Sequence, residues 1–195
     1  MNAIQEERIR GFFITAAKEL IRGEGIAVVS ARNVAERAGY SYATLYNYFK
    51  DIRDLIFNCV EGFMEECREF VLGQIPADIS GEALLTAKSR SYFNFFVQYP
   101  GIFDLFYHEK VNQIATANSR FEKISSFFDS LVESEWEVIK EQNGVKEETK
   151  AMAASFLKTA LHGLLLLYLN KRIADEYGVV IKRVDELVRF AVRVR

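Results

Sequence analysis

From residue 9 onward, apolar side chains return at the spacing of one helical face: Ile9, Phe12, Phe13, Ala16, Ala17, Leu20 and Ile21. This i, i+3, i+4, i+7 pattern predicts an amphipathic helix, and Gly23 and Gly25 close it. "SARNVAERAG" (30–39) follows, with Ser30 as N-cap, a narrow stripe of Val34, Ala35 and Ala38, and Gly39 suited to a left-handed C-terminal position. "SYATLYNYF" (41–49) restarts a helix, with Ser41 as cap and Leu45 and Phe49 as an i, i+4 pair. Asp51 then caps a long helix to about residue 72, whose stripe includes Leu55, Ile56, Cys59, Val60, Phe63, Met64, Cys67, Phe70 and Val71.

After the loop "GQIPADISGE" (73–82), helical spacing resumes over 81–98, around 101–108, and over 119–142, 147–175 and 181–194. The connection at 109–118 carries no clear pattern. Strict alternation of the kind a half-buried strand shows is absent throughout. The expected fold is all-α: a three-helix N-terminal head of residues 1–52, then a helical bundle of residues 53–195, about nine helices in total. The helix from 51 to about 72 connects the two.

Composition narrows this only slightly. Half of the 195 residues are apolar, 27% are charged and only two are proline, as a helical globular chain requires. Net charge is −2, but residues 1–50 hold seven Lys/Arg against five Asp/Glu, and the remainder holds 18 against 22. A slightly basic head on an acidic body is compatible with nucleic-acid contact through the head. "MNAIQEERIR" lacks the apolar stretch of a secretory signal, and the run "ALHGLLLLYL" (160–169) is shorter than a bilayer span, so a cytoplasmic, non-membrane location is expected. Cys59 and Cys67 stand i, i+8 on one expected helix, roughly 12 Å apart along its axis, too far to bridge each other. Core thiols in a reduced compartment are expected.

The head carries the chemistry. Two short helices joined at a glycine turn and braced by a longer one form a helix-turn-helix arrangement, and a helix so braced fits the DNA major groove. Val34, Ala35, Ala38, Leu45 and Phe49 bind the short helices to the first, leaving Tyr42, Ala43, Thr44, Tyr46, Asn47 and Tyr48 to face outward, apart from partial burial of ring area. Thr44 suits a thymine methyl, Asn47 an adenine edge, and tyrosine hydroxyls the phosphate oxygens. Ala43 lets the helix N-terminus approach closely, and Arg32, Asn33 and Lys50 are further phosphate partners. Spacing alone leaves two readings of Tyr40, Tyr42, Tyr46 and Tyr48, helix packing or a groove-facing surface.

The stretch "VVSARNVAERAGYSYATLYNYFKDIRDLI" (28–56) resembles the DNA-binding segment of the TetR (tetracycline-repressor-like) family of bacterial regulators. The matching positions are Ser30, Val34 through Gly39, Ser41, Thr44 through Tyr46, Tyr48 through Lys50, and Leu55. The resemblance implies that 41–49 is the recognition helix. Tyr42, Ala43, Thr44 and Asn47 would read bases, Tyr46, Tyr48 and Lys50 would hold phosphate, and Ser30, Arg32, Asn33 and Ser41 would complete the surface. Two positions depart from the family pattern: Tyr42 replaces a small, basic or amide residue, and Ile52 stands where a lysine is common, with Arg53 beside it.

The same resemblance implies that the C-terminal helices bind a small effector and form a homodimer. Independently, 152–169 is apolar nearly all round, which demands burial on more than one side. Leu157, Leu161, Leu164, Leu165 and Tyr168, with Leu187, Val188 and Ala191 of the last helix, are the expected dimer contacts. Phe63, Cys67, Phe93, Phe96, Phe103, Phe106, Phe127, Trp136 and Phe156 are the expected lining of an effector pocket, and they suit a hydrophobic or aromatic molecule. Aromatic residues at helical spacing are more often plain core. His162, beside Gly163 in the apolar stripe, is expected to be a hydrogen-bonded core or interface residue.

No glycine-rich phosphate loop, nucleophile elbow or zinc-binding helix motif occurs, and His108 and His162 lack ligand spacing with each other or with the cysteines. Neither enzymatic activity, nor a metal, nor a cofactor is expected. The function that fits best is a ligand-responsive transcriptional regulator, a repressor released from a near-palindromic operator by a small hydrophobic effector. The alternatives are an architectural DNA-binding protein without ligand response and a hydrophobic-ligand binding module.

Overall fold

The computed structural model describes residues 3–108 and 118–193, and every regular element among them is helical. The described chain forms two compact units, one from residues 1–66 with 99–124 and one from 67–98 with 125–195. The ambiguous connection at 109–118 lies, except for its last residue, outside the described residues.

In the first unit, α1 (Ala3–Glu24) is followed by a short 3-10 turn, α2 (Ala31–Ala38), the single-turn α3 (Tyr42–Leu45) and the start of α4 (Ile52–Gly73). Phe13, Ala17 and Ile21 of α1, Val34 and Ala35 of α2, Leu45, and Leu55 of α4 are all removed from solvent. The caps fall where the residue types place them. Ser30 Oγ accepts from the Asn33 N–H (3.1 Å), and Gly39 ends α2 at φ 76°. That angle is cheap only without a Cβ. Ser41 Oγ accepts from the Thr44 N–H (3.1 Å). The same unit includes α6 (Pro100–Phe103), which runs into a π-helical turn, Asp104–His108, and all of α7 (Asn118–Ser125) but its last residue.

The second unit takes the end of α4 with α5 (Gly81–Gln98), α8 (Phe127–Asn143), α9 (Glu147–Leu169) and α10 (Tyr177–Val192). α5 lies against α8, α9 and α10, so Leu85, Tyr92, Phe93 and Phe96 are buried. A buried ion pair, Lys88 Nζ to Glu135 Oε2 at 2.8 Å, joins α5 to α8, and Arg90 pairs with Asp185 of α10.

Several boundaries differ from the periodicity. The helix expected over 119–142 breaks at Ser126 into α7 and α8; at the break the Ser125 carbonyl accepts from Lys158 Nζ (3.2 Å). The helix expected to reach 175 ends at Leu169, where Asn170 Nδ2 returns to the Leu166 carbonyl (2.9 Å) and Lys171 turns left-handed at φ 53°. The last helix begins at Tyr177 rather than 181. The apolar run at 160–169 belongs to a 23-residue helix that is, by length and composition alone, able to cross a membrane. Its Ala153, Leu157, Leu161 and Leu165 are buried among the other helices of the second unit, and its Lys150 and Lys158 are ion-paired.

Candidate nucleic-acid interface

The segment expected to be one helix over 41–49 is α-helical only for Tyr42–Leu45, and residues 46–48 continue it as turns. Leu45 and Phe49 are buried beneath it; the segment packs on α2, and the Phe49 ring meets Phe13 of α1 edge-on. The four tyrosines divide into two pairs. Tyr40 packs its ring against Phe12 and Phe13, and Tyr48 lies half-buried with its ring 6.1 Å from that of Phe13. Tyr42 and Tyr46, by contrast, are 63% and 50% exposed. Helix packing therefore holds for the first pair and an open surface for the second. The Tyr48 ring is partly covered because it lies beside Phe13.

The remaining expected residues fall as follows. Arg32, Ala43, Asn47 and Lys50 are exposed. Thr44 is half-buried, and its hydroxyl shares a 2.8 Å hydrogen bond with that of Ser41. Ser30 and Ser41 serve as caps, and Asn33 Nδ2 donates to the Val28 carbonyl (2.7 Å), so these three shape the head before they touch anything else. Charge separates the surface further. Lys18 and Arg22 pair with Glu66, and Arg37 pairs with Glu24 (3.0 Å) and Glu19 (3.7 Å). Arg32, Lys50 and Arg53, which flank the reading segment, have no acidic partner within ion-pair distance among the described residues. A braced turn offering tyrosine, alanine and asparagine between unpaired cations is chemically suited to a polyanion with readable edges.

Arg10 played no part in the sequence reading, yet it touches this segment. Its Nη1 donates to the Tyr48 carbonyl (2.7 Å), its Nη2 to Asn58 Oδ1 (2.9 Å), and its guanidinium lies 4.4 Å from the Phe49 ring centroid. No local pattern could reveal a contact across 38 residues.

The expected effector-pocket residues belong to both units. Phe63, Phe103 and Phe106 are core of the first unit, and Cys67, Phe93, Phe96 and Phe127 are buried in the second. Phe156 is 39% exposed, with its ring 5.2 Å from Phe190. Of the nine, Trp136 lines a cleft of about 290 Å³ in the second unit, whose other walls are Asp129, Glu133, Glu147, Lys150, Ala151, Ala154, Ser155 and Lys158. This cleft is charged rather than aromatic. Lys150 is held above the usual lysine range by its hydrogen bonds to Glu137 and Glu147.

His162 is half-buried and hydrogen-bonded: Nε2 lies 2.9 Å from the Tyr92 hydroxyl, and burial, with Lys158 nearby, pushes its pKa down to about 4. Burial likewise pushes the Cys59 thiol up to about 12 and raises Cys67, so neither is a ready nucleophile.

The expected dimer contacts need correction. Leu157, Leu161, Leu165, Val188 and Ala191 are buried inside the chain itself and have no surface to offer a partner. Leu164, Tyr168 and Leu187 remain half-buried. The open large apolar residues of the same two helices are Met152, Phe156, Leu166, Leu167, Tyr177, Val179 and Phe190.

Comparison with known proteins agrees with this geometry. The model of the family described as bacterial regulatory proteins, tetR family, matches residues 13–59, so the head is a TetR-family N-terminal domain. The whole chain has the fold of TetR-family regulators of known structure. It aligns with a TetR family transcription regulator from Marinobacter aquaeolei VT8 over 100% of both chains, with TM-score 0.68 and 17% identity. A TetR transcriptional regulator from Rhodococcus sp. RHA1 aligns over 96% of this chain and 98% of its own, with TM-score 0.67 and 17% identity. A tetR-family transcriptional regulator from Streptomyces coelicolor covers 98% of this chain with 80% of its own, at TM-score 0.67 and 18% identity. Among curated proteins, none matches the chain.

Proposed function

We propose that the protein is a transcriptional regulator that binds double-stranded DNA as a homodimer, one head per half-site of a near-palindromic operator. The observation that carries the reading is the exposed set Tyr42, Ala43, Tyr46 and Asn47 on a turn braced by buried Leu45 and Phe49, flanked by the unpaired Arg32, Lys50 and Arg53. Thr44 reads beside them through its methyl group, with Tyr48 and Lys50 on the backbone of the duplex. Two such heads would enter successive major grooves about 34–36 Å apart.

The second copy fits the open apolar residues of α9 and α10. Phe190 is 62% exposed and Met152 60%, and side chains of this size on adjacent helices favour a covered interface. The finer reading is a repressor whose operator affinity falls when a small hydrophobic effector binds the C-terminal helices. A tenfold loss of DNA affinity needs only about 1.4 kcal/mol of coupling between the two sites.

The test is selection of duplexes from a random library by the purified protein at low salt, followed by a salt series. An enriched two-half-site palindrome, released by added apolar small molecules, is the expected result. Enrichment of many unrelated sequences would favour an architectural role, and absence of enrichment would leave the C-terminal part as a binding module alone.

A further inference from the structure

A one-turn helix cannot hold its own shape in water, since the first hydrogen-bonded turn is the costly one. α3 is such a helix, and residues 46–48 beyond it leave carbonyls near its C-terminal end that need donors. We infer that Arg10 is the positioning residue that aims this segment at DNA; the inference rests on the DNA-reading function proposed above.

Arg10 stands on α1 and joins three elements at once. Its fork reaches the Tyr48 carbonyl on one side and Asn58 of α4 on the other, while the guanidinium plane lies on the Phe49 ring. Asn58 is itself held, because its Nδ2 donates to the Asp54 carbonyl (2.7 Å). Asp54 in turn accepts from the Lys50 N–H (3.3 Å) and donates its own N–H to Asp51 Oδ1 (2.8 Å). The chain from Tyr48 to Lys50 is therefore tied at both ends to groups anchored in α1 and α4.

An arginine suits this place because its planar fork serves two acceptors in fixed directions while one face stacks on an aromatic ring. A lysine at the same site keeps the charge but has a single donor atom and no planar face to lay on the ring. The half-buried Arg10 commits each terminal nitrogen to a protein acceptor, unlike Arg32, Lys50 and Arg53, so its contribution to binding runs through geometry and not through phosphate.

The experiment compares the wild type with Arg10→Ala and Arg10→Lys as full chains, with circular dichroism to establish that each is folded. Binding to the selected duplex is measured across a salt series, and duplex selection is repeated for each variant. Both variants are expected to lose at least about tenfold in affinity, about 1.4 kcal/mol, and to show relaxed base preference. The slope of log K against log salt is expected to stay as in wild type. In the free protein, the amides of Asn47, Tyr48 and Phe49 are expected to exchange hydrogen faster while those of α1 do not change.

A slope reduced by about one in Arg10→Ala would mean a direct phosphate contact and overturn the inference. So would wild-type affinity and preference in both variants, or full rescue by Arg10→Lys. If the wild type itself selects no duplex, the proposed function fails and the DNA half of the inference with it. Hydrogen exchange, which needs no DNA, distinguishes that case: unchanged exchange at 47–49 overturns the positioning role as well.

Discussion

Gly101 sits in α6 where that helix meets α1, and a Cβ built on it would lie 2.2 Å from the Ile21 carbonyl oxygen. It would also meet the Ile21 carbonyl carbon at 3.4 Å and the Gly25 Cα at 3.5 Å. All three are backbone atoms, so no rotamer change can clear the space, and Ile21 O is already held by the Gly25 N–H (3.1 Å). Gly101→Ala must therefore move α6 away from α1 by roughly 1 Å, and overpacking of this kind costs typically ~1–3 kcal/mol. Against that stands the gain of replacing a helical glycine by alanine, about 0.8–1 kcal/mol. The expected balance is a loss of roughly 0–2 kcal/mol, which in a chain of this size lowers Tm by up to about 8 °C. Gly11→Ala is the internal control: Gly11 lies within α1 with nothing within 4 Å of its would-be Cβ, so only the propensity gain remains and Tm should rise. Thermal unfolding of both variants decides the matter. A Tm raised as much by Gly101→Ala as by Gly11→Ala would show that α1 and α6 do not meet as closely as this geometry requires, and the argument would fail.

Protonation gives a second handle on stability. The native His162 pKa of about 4 lies below its ordinary 6.5, so the unfolded chain binds the extra proton first, and stability should fall by up to about 3 kcal/mol as pH drops from 6.5 to 4, then level off. Urea unfolding at several pH values should show that decline in wild type and a markedly flatter one in His162→Gln. On the reading surface, Asn47→Ala should relax preference at one base position of the selected duplex, whereas Tyr46→Phe should weaken binding evenly across sequences; wild-type behaviour of both would place the reading face elsewhere. For the second copy, Phe190→Glu should shift sedimentation toward monomer without loss of helical signal, and a dimer of wild-type strength would put the interface on another surface.

Legibility in this chain follows the range of the interaction. Ser30, Gly39 and Ser41 were readable as caps because a cap is satisfied within three or four residues, and each is found capping or closing the helix expected. The buried face of the head was readable for the same reason, since Val34, Ala35, Leu45 and Phe49 announce it by spacing alone. The stripe Leu157, Leu161, Leu165 was equally visible but not its meaning. An apolar face at i, i+4, i+8 looks the same whether it meets the chain's own helices or a partner, and here it meets its own. The aromatic residues of the body mislead in the same way, because composition suggests a cavity and says nothing of how completely rings such as Tyr92, Phe96 and Phe128 fill it.

Arg10 marks the far end of that scale. A recognition motif specifies which residues the reading segment presents, and all of them lie within a few turns of one another. What sets the direction in which they are presented is a guanidinium 38 residues away from the carbonyl it holds and 48 from its amide partner. Two chains could share every motif position from Ser30 to Leu55 and still aim the segment differently if residue 10 differed. Base preference in such a head should therefore follow the residues of α1 that touch the turn as well as the residues that touch the bases. Exchanging Arg10 and Asn58 together for an apolar pair, with the motif untouched, is the sharpest form of that test: the selected half-site should change or blur although no base-facing side chain has been altered.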